Sequence, residues 1–169
     1  MSTKQLFFAL WPDHRQRDRL RDVINSVAKT VEGQAVDRRN WHITLPYIGA
    51  FEEAGIPALQ DLAGKIQVQP FRLGFDRLEF WARPKVACLV GATIPTELEF
   101  LVASLQEILL EVGVIPDDRT YRPHITVVRS ARAFTTERLA QRTTTEWSGF
   151  ELMESVPGPG GVSYVPLKQ

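Results

Sequence analysis

The stretch "NWHITLPYIG", residues 40–49, decides the fold. It reads as a β-strand, because successive side chains on a strand point to opposite faces. Ile43 and Leu45 share one face, suited to a core, while His42 and Thr44 share the other. The pattern returns in "YRPHITVVR", residues 121–129, where Ile125 and Val127 oppose His124 and Thr126. Two apolar strands each carrying a His–Thr pair predict two similar lobes, each lending one strand to a central cleft.

The rest of the chain fits around those strands. Lys4–Trp11 reads as a strand ended by "PD", and Asp13–Val31 has helical spacing at Leu20, Val23, Ile24, Val27 and Val31, with Gly33 closing it. "GIPALQDLAGKIQ" predicts a helix with a proline in its first turn. In "FRLGFDRLEFW", residues 71–81, the apolar parity changes, which predicts a bulge near Asp76. "KVACLVGA" predicts the next strand, and Thr96–Val112 the longest helix, capped by Gly113. "TTERLAQRTT", residues 135–144, reads as a short helix, and "WSGFELMES" and "GVSYVPLK" as two final strands. The order is mixed rather than strictly alternating, so the fold class is α+β. No linker divides the chain, and residues 1–169 read as a single bilobal domain.

Composition narrows the function. Twenty acidic residues cancel twenty basic ones, which argues against polybasic nucleic-acid binding but allows one local anion site. Cys88 is the only cysteine, so no intramolecular disulfide or multi-cysteine metal site is available. It reads as a buried, inert thiol. The first residues lack a secretory signal pattern and no apolar run approaches the roughly 20 residues a membrane helix needs, so the expectation is a cytoplasmic protein without membrane contact.

A face bearing two imidazoles and two hydroxyls suits metal-free acid–base cleavage of a phosphodiester. Histidine has an unperturbed pKa near about 6.5, so one ring can accept a proton while the other gives one. Each threonine hydroxyl can donate to a nonbridging phosphate oxygen. No third ligand stands near either H-x-T, and threonine is a poor zinc ligand, so no metal and no cofactor are expected. His14, at the head of an arginine-rich helix, reads as exposed and incidental.

The paired H-x-T motifs, together with "LFFALWP" near the start and the ending "ES…GPGGVSY", resemble the two-histidine phosphoesterases. The flanks are most similar to the RNA 2′,3′-cyclic phosphodiesterase branch, the 2′–5′ RNA ligase-like or LigT proteins. The resemblance runs from about residue 5 to residue 165. It implies a bilobal α+β fold of mainly antiparallel sheet, with helices outside and a central cleft. It implies hydrolysis of a terminal 2′,3′-cyclic phosphate on RNA 3′ ends or nucleotides to a 2′-phosphomonoester, with 2′–5′ ligation as the reverse, in a monomer. His42 would be the general acid and His124 the general base, an order that spacing leaves open. Thr44 and Thr126 match the phosphate-binding threonines, and Arg129 matches a basic residue after the second motif. Strict alternation sets Arg129 opposite His124, so it reaches the cleft only if the strand bulges or ends near Val128; Arg122 is the alternative. The sequence also allows a related phosphodiesterase acting on 2′–5′ oligonucleotides or another cyclic nucleotide, and a noncatalytic nucleotide- or RNA-end-binding module. The chain departs from the family's usual text at "ITLPYIG", which bears on substrate preference. Pro46 there predicts an interruption or an edge, and Tyr47, Phe8 and Trp41 are expected in the core, with stacking on a base as the alternative.

Overall fold

A computed structural model describes residues 1–168. Its elements are β1 (Thr3–Leu10), α1 (His14–Ala28), β2 (Gln34–Ala35), β3 (Ile43–Glu52), α2 (Ile56–Gly64), β4 (Phe71–Trp81), β5 (Val86–Val90), α3 (Thr96–Glu111), β6 (His124–Arg129), β7 (Glu137–Trp147), β8 (Glu151–Gly158) and β9 (Gly161–Pro166). The strands form one sheet in the order β7-β4-β5-β6-β3-β1-β8-β9, with β2 beside β6. All its pairings are antiparallel. This is an α+β architecture dominated by antiparallel sheet.

Local chemistry explains most boundaries. Asp13 caps α1: its side chain accepts from the Gln16 amide at 2.8 Å, while Gln16 accepts from the Asp13 amide at 2.6 Å, a reciprocal capping box. The helix stops at Ala28, short of the expected Gly33. Gly33 instead lies against β6, where an added Cβ would come within 2.7 Å of the Arg129 carbonyl. Gly113, at φ +85°, follows α3 as expected. Asp76 sits where the β4–β7 register slips between Phe75 and Arg77, the bulge that the apolar parity predicted.

One element was misread. Residues 135–144 do not form a helix; most of them belong to β7, paired with β4. Glu, Arg, Leu, Ala and Gln favour helices, but intrinsic propensity yields when a neighbouring edge offers a full ladder. As the outer strand, β7 keeps charged side chains in water, which guards an edge against further pairing.

The sheet's two faces differ. One carries the main core: Leu6, Phe8 and Leu10 of β1, Ile43 and Leu45 of β3 and Ile125 and Val127 of β6 pack with Leu20 of α1 and Leu105 of α3. The other has two small apolar clusters, Phe7–Ala9–Met153 and Val86–Cys88–Val90, with an open strip between them. The halves β7-β4-β5-β6 and β3-β1-β8-β9 join where β6 meets β3, through the single pair Ile43–Ile125. Beyond it both strands bulge. Two residues of β1 (Phe7 to Ala9) span three of β3 (Tyr47 to Thr44), which sets Pro46 and its missing N–H in the irregular part of β3. On β6, Cys88 pairs with Thr126 but the next residue, Ala87, pairs with Val128, leaving Val127 extra. No helix among the described residues is long and apolar enough to cross a membrane.

Ile43 is fully buried at the seam, whereas Leu110 of α3 is 60% exposed. Ile43→Ala is therefore expected to cost about 2–5 kcal/mol in denaturant unfolding, and Leu110→Ala less than about 0.5 kcal/mol. Equal costs would place the core elsewhere.

Candidate active site

The seam brings the H-x-T pairs together. Counting outward from Ile43–Ile125 in an antiparallel pair sets His42 opposite Thr126 and Thr44 opposite His124. All four side chains leave the core face and line one cavity of about 240 Å³ with Arg129, Phe7, Tyr47, Ser155 and Tyr164. The extra residue at Val127 explains how Arg129 gets there. Val127 and Val128 are both buried in the main core, so the alternation restarts and Arg129 returns to the cleft side.

Each histidine is held alike. His42 Nδ1 lies 2.7 Å from the Asn40 carbonyl and His124 Nδ1 2.8 Å from the Arg122 carbonyl. A carbonyl can only accept, so both Nδ1 atoms carry hydrogen. That leaves each Nε2 to exchange a proton. His42 Nε2 is 3.1 Å from Thr44 Oγ1, whose hydroxyl donates to the neutral ring. Each ring also has a tryptophan neighbour. Trp11 stacks on His42 at 5.1 Å and 17°, and Trp81 leans on His124 at 4.2 Å and 49°.

The aromatic surroundings of the two rings also differ. Phe7 and Tyr164 also flank His42, at 5.4 and 5.1 Å. Burial pushes His42 down to about 4; the charges of Arg129 and His124 act the same way, and the hydrogen bond to Asn40 opposes them. Burial also lowers His124, helped by the Arg122 charge and opposed by the Arg122 carbonyl bond. Burial thus favours the neutral form of both imidazoles, and an anionic group beside them would favour their charged forms.

Arg129 has no carboxylate partner among the described residues; its Nη2 donates to Tyr164 Oη at 3.1 Å. Arg122 lies elsewhere. It pairs with Glu79 at 2.9 Å and sits over the Trp81 ring, outside the residues around the small cavity. Cys88 is fully buried beneath Thr126, with Sγ 3.8 Å from Oγ1, and burial raises its thiol to about 12, as expected of an inert side chain. His14 is exposed. Phe8 and Trp41 are in the core as expected. Tyr47 is not: it lies past the β3 irregularity, 55% exposed, at the cavity wall. Tyr164 and Ser155 were missed. They come from the terminal strands β9 and β8, which only the "ES…GPGGVSY" likeness touched. No group of three or more His, Cys, Asp or Glu among the described residues could hold a metal ion.

An antiparallel sheet that carries two H-x-T pairs into one cleft defines a LigT-like phosphoesterase. The family model described as LigT like Phosphoesterase matches residues 10–88. A protein of Escherichia coli K12 named RNA 2′,3′-cyclic phosphodiesterase is 30% identical over 138 residues, covering 81% of this chain and 78% of its own. One of the same name from Archaeoglobus fulgidus is 24% identical, covering 97% and 98%. The crystal structure of E. coli LigT complexed with 3′-AMP superposes with a TM-score of 0.87 at 29% identity, over 99% of this chain and 97% of that one. The chain belongs to the RNA 2′,3′-cyclic phosphodiesterase family.

The His42 environment has a direct readout. In an NMR titration of the ligand-free protein, the His42 ring is expected to stay neutral down to about pH 4. The unfolded chain binds that proton from about pH 6.5 downward, so stability should fall as pH drops through this window. A His42 midpoint at or above 6.5 would contradict the enclosure described.

Proposed function

We propose that this protein hydrolyses 2′,3′-cyclic phosphates at RNA 3′ ends or on nucleotides, giving a 2′-phosphomonoester without a metal ion. What carries this reading is one observation: His42, Thr44, His124, Thr126 and Arg129 all line the same small cavity.

In this scheme His124 Nε2 takes a proton from water, whose oxygen attacks phosphorus. The P–O3′ bond breaks, and His42 Nε2 gives its proton to the departing O3′. Exchange with solvent resets both rings. Fixed Nδ1–H bonds to the backbone support such roles, because they aim both reactive nitrogens inward. The resemblance supplies the order of acid and base. The low pKa of His42 fits it in a specific way: the ring gains its proton only beside the anionic phosphodiester, and then releases it readily. Thr44 and Thr126 would donate to nonbridging oxygens, and the unpaired cation of Arg129 would offset charge growing on them. The same scheme run backward joins a 5′-hydroxyl RNA to the cyclic phosphate through a 2′–5′ bond. Because one chain supplies both motifs, residues 1–169 would act as one bilobal catalytic unit, a monomer, in the cytoplasm.

On a short RNA ending in a 2′,3′-cyclic phosphate, the wild type should yield a 2′-phosphate end and keep its activity in EDTA. His42→Ala and His124→Ala should each lose about 10²–10⁴ in rate with unchanged thermal unfolding. Full activity in either variant, or complete loss of wild-type activity in EDTA, would refute the proposal.

A further inference from the structure

Glu79 of β4 is the least exposed carboxylate among the described ion pairs, at 16%. An anion is costly to enclose unless it is bonded on several sides. The sheet register sets it on the cleft side: Glu79 pairs with Cys88 of β5, and Cys88 with Thr126 of β6, so the three share one row. Two side chains donate to it. Trp81 Nε1 reaches Oε1 at 3.1 Å, and Arg122 Nη2 reaches Oε1 at 2.9 Å and Oε2 at 3.1 Å. Burial pushes the carboxyl's pKa up, but these bonds and the arginine charges bring it below the ordinary carboxylate range, so Glu79 stays ionised.

Both donors also touch His124. The Trp81 ring lies 4.2 Å from the imidazole, centroid to centroid, and the Arg122 carbonyl accepts from His124 Nδ1 at 2.8 Å. Arg122 itself lies in a segment that joins α3 to β6 without helix or strand, and its guanidinium stands 5.2 Å from the Trp81 centroid. The other histidine is built differently. His42 is flanked by Trp11, Phe7 and Tyr164, whereas Trp81 is the single aromatic ring against His124 among the described residues. The aim of His124 therefore depends on what holds Trp81 and Arg122, and one carboxylate holds both.

We propose that Glu79 is a positioning residue for His124. Its carboxylate ties the Trp81 ring and the Arg122 segment to one point on β4. That tie keeps the imidazole Nδ1–H on the Arg122 carbonyl and turns Nε2 into the cavity. A group standing behind a histidine in this way fixes both its tautomer and its ring plane. The effect on turnover rests on the cyclic-phosphodiesterase reading given above; the orientation of the ring does not.

Long-range proton–nitrogen NMR of the full chain, at about pH 8 where imidazole is neutral, reads the tautomer of each ring. In the wild type both histidines should carry their proton on Nδ1. Glu79→Ala removes the tie. Glu79→Gln keeps the size but offers one acceptor oxygen and no charge, so it loosens the tie even where the alanine variant fails to fold. In each variant His124 should shift toward the Nε2–H tautomer while His42 keeps Nδ1–H. On adenosine 2′,3′-cyclic phosphate, kcat should fall about 10- to 10²-fold with KM changed less than about twofold. An unshifted His124 in either folded variant would overturn the proposal, whatever the rate. So would a shift of both histidines together, which a general loosening of the fold would give. A released His124 with full turnover, or a wild type that turns over no cyclic phosphate, would instead overturn the parent reading and leave the positioning in place.

Discussion

A single ladder pair, Ile43 with Ile125, joins the two halves of the sheet, and the main core runs on beneath it from one half to the other. The pair's side chains face the main core, so the residues flanking it on both strands must face the other way. Those residues are His42, Thr44, His124 and Thr126. Burial of two isoleucines thus fixes the placement of four polar groups. A register slip of one residue would turn every one of them into the core, at the cost of burying unpaired polar groups.

The seam is short because both strands leave it at once. Pro46 and the irregular β1–β3 register bend one strand, and the extra Val127 bends the other. A longer ladder would close the strip of sheet that the cavity occupies. The edge of β6 that β3 abandons is taken up by β2, which pairs with Val128 and Arg129, and by the Val36 amide, 2.9 Å from the Val127 carbonyl. The backbone of Arg129 is therefore secured by a segment outside both motifs, and its guanidinium is tied across the cleft to Tyr164 on the last strand.

Much of this was legible in the sequence because strands have a period of two. Alternation alone separated the His–Thr faces from the core faces, and a change of parity exposed the bulge at Asp76. The same rule set Arg129 on the wrong face, since one inserted residue reverses every later side chain and nothing local at Val127 marks the insertion. Tyr47 was misplaced for a similar reason, lying just past the Pro46 irregularity. Strand β7 was hidden by helix-forming residues whose pairing with β4 joins positions some seventy residues apart. Tyr164 and Ser155 could not be placed, because their nearness to His42 arises only when the terminal strands add to β1.

The central claim is that both imidazoles act on one phosphorus atom. A crystal structure with vanadate and a nucleoside, mimicking five-coordinate phosphorus, tests it most directly. The account predicts His42 Nε2 and His124 Nε2 within about 3.2 Å of opposite apical oxygens. Vanadate held by one histidine alone, or seated away from both, would contradict it.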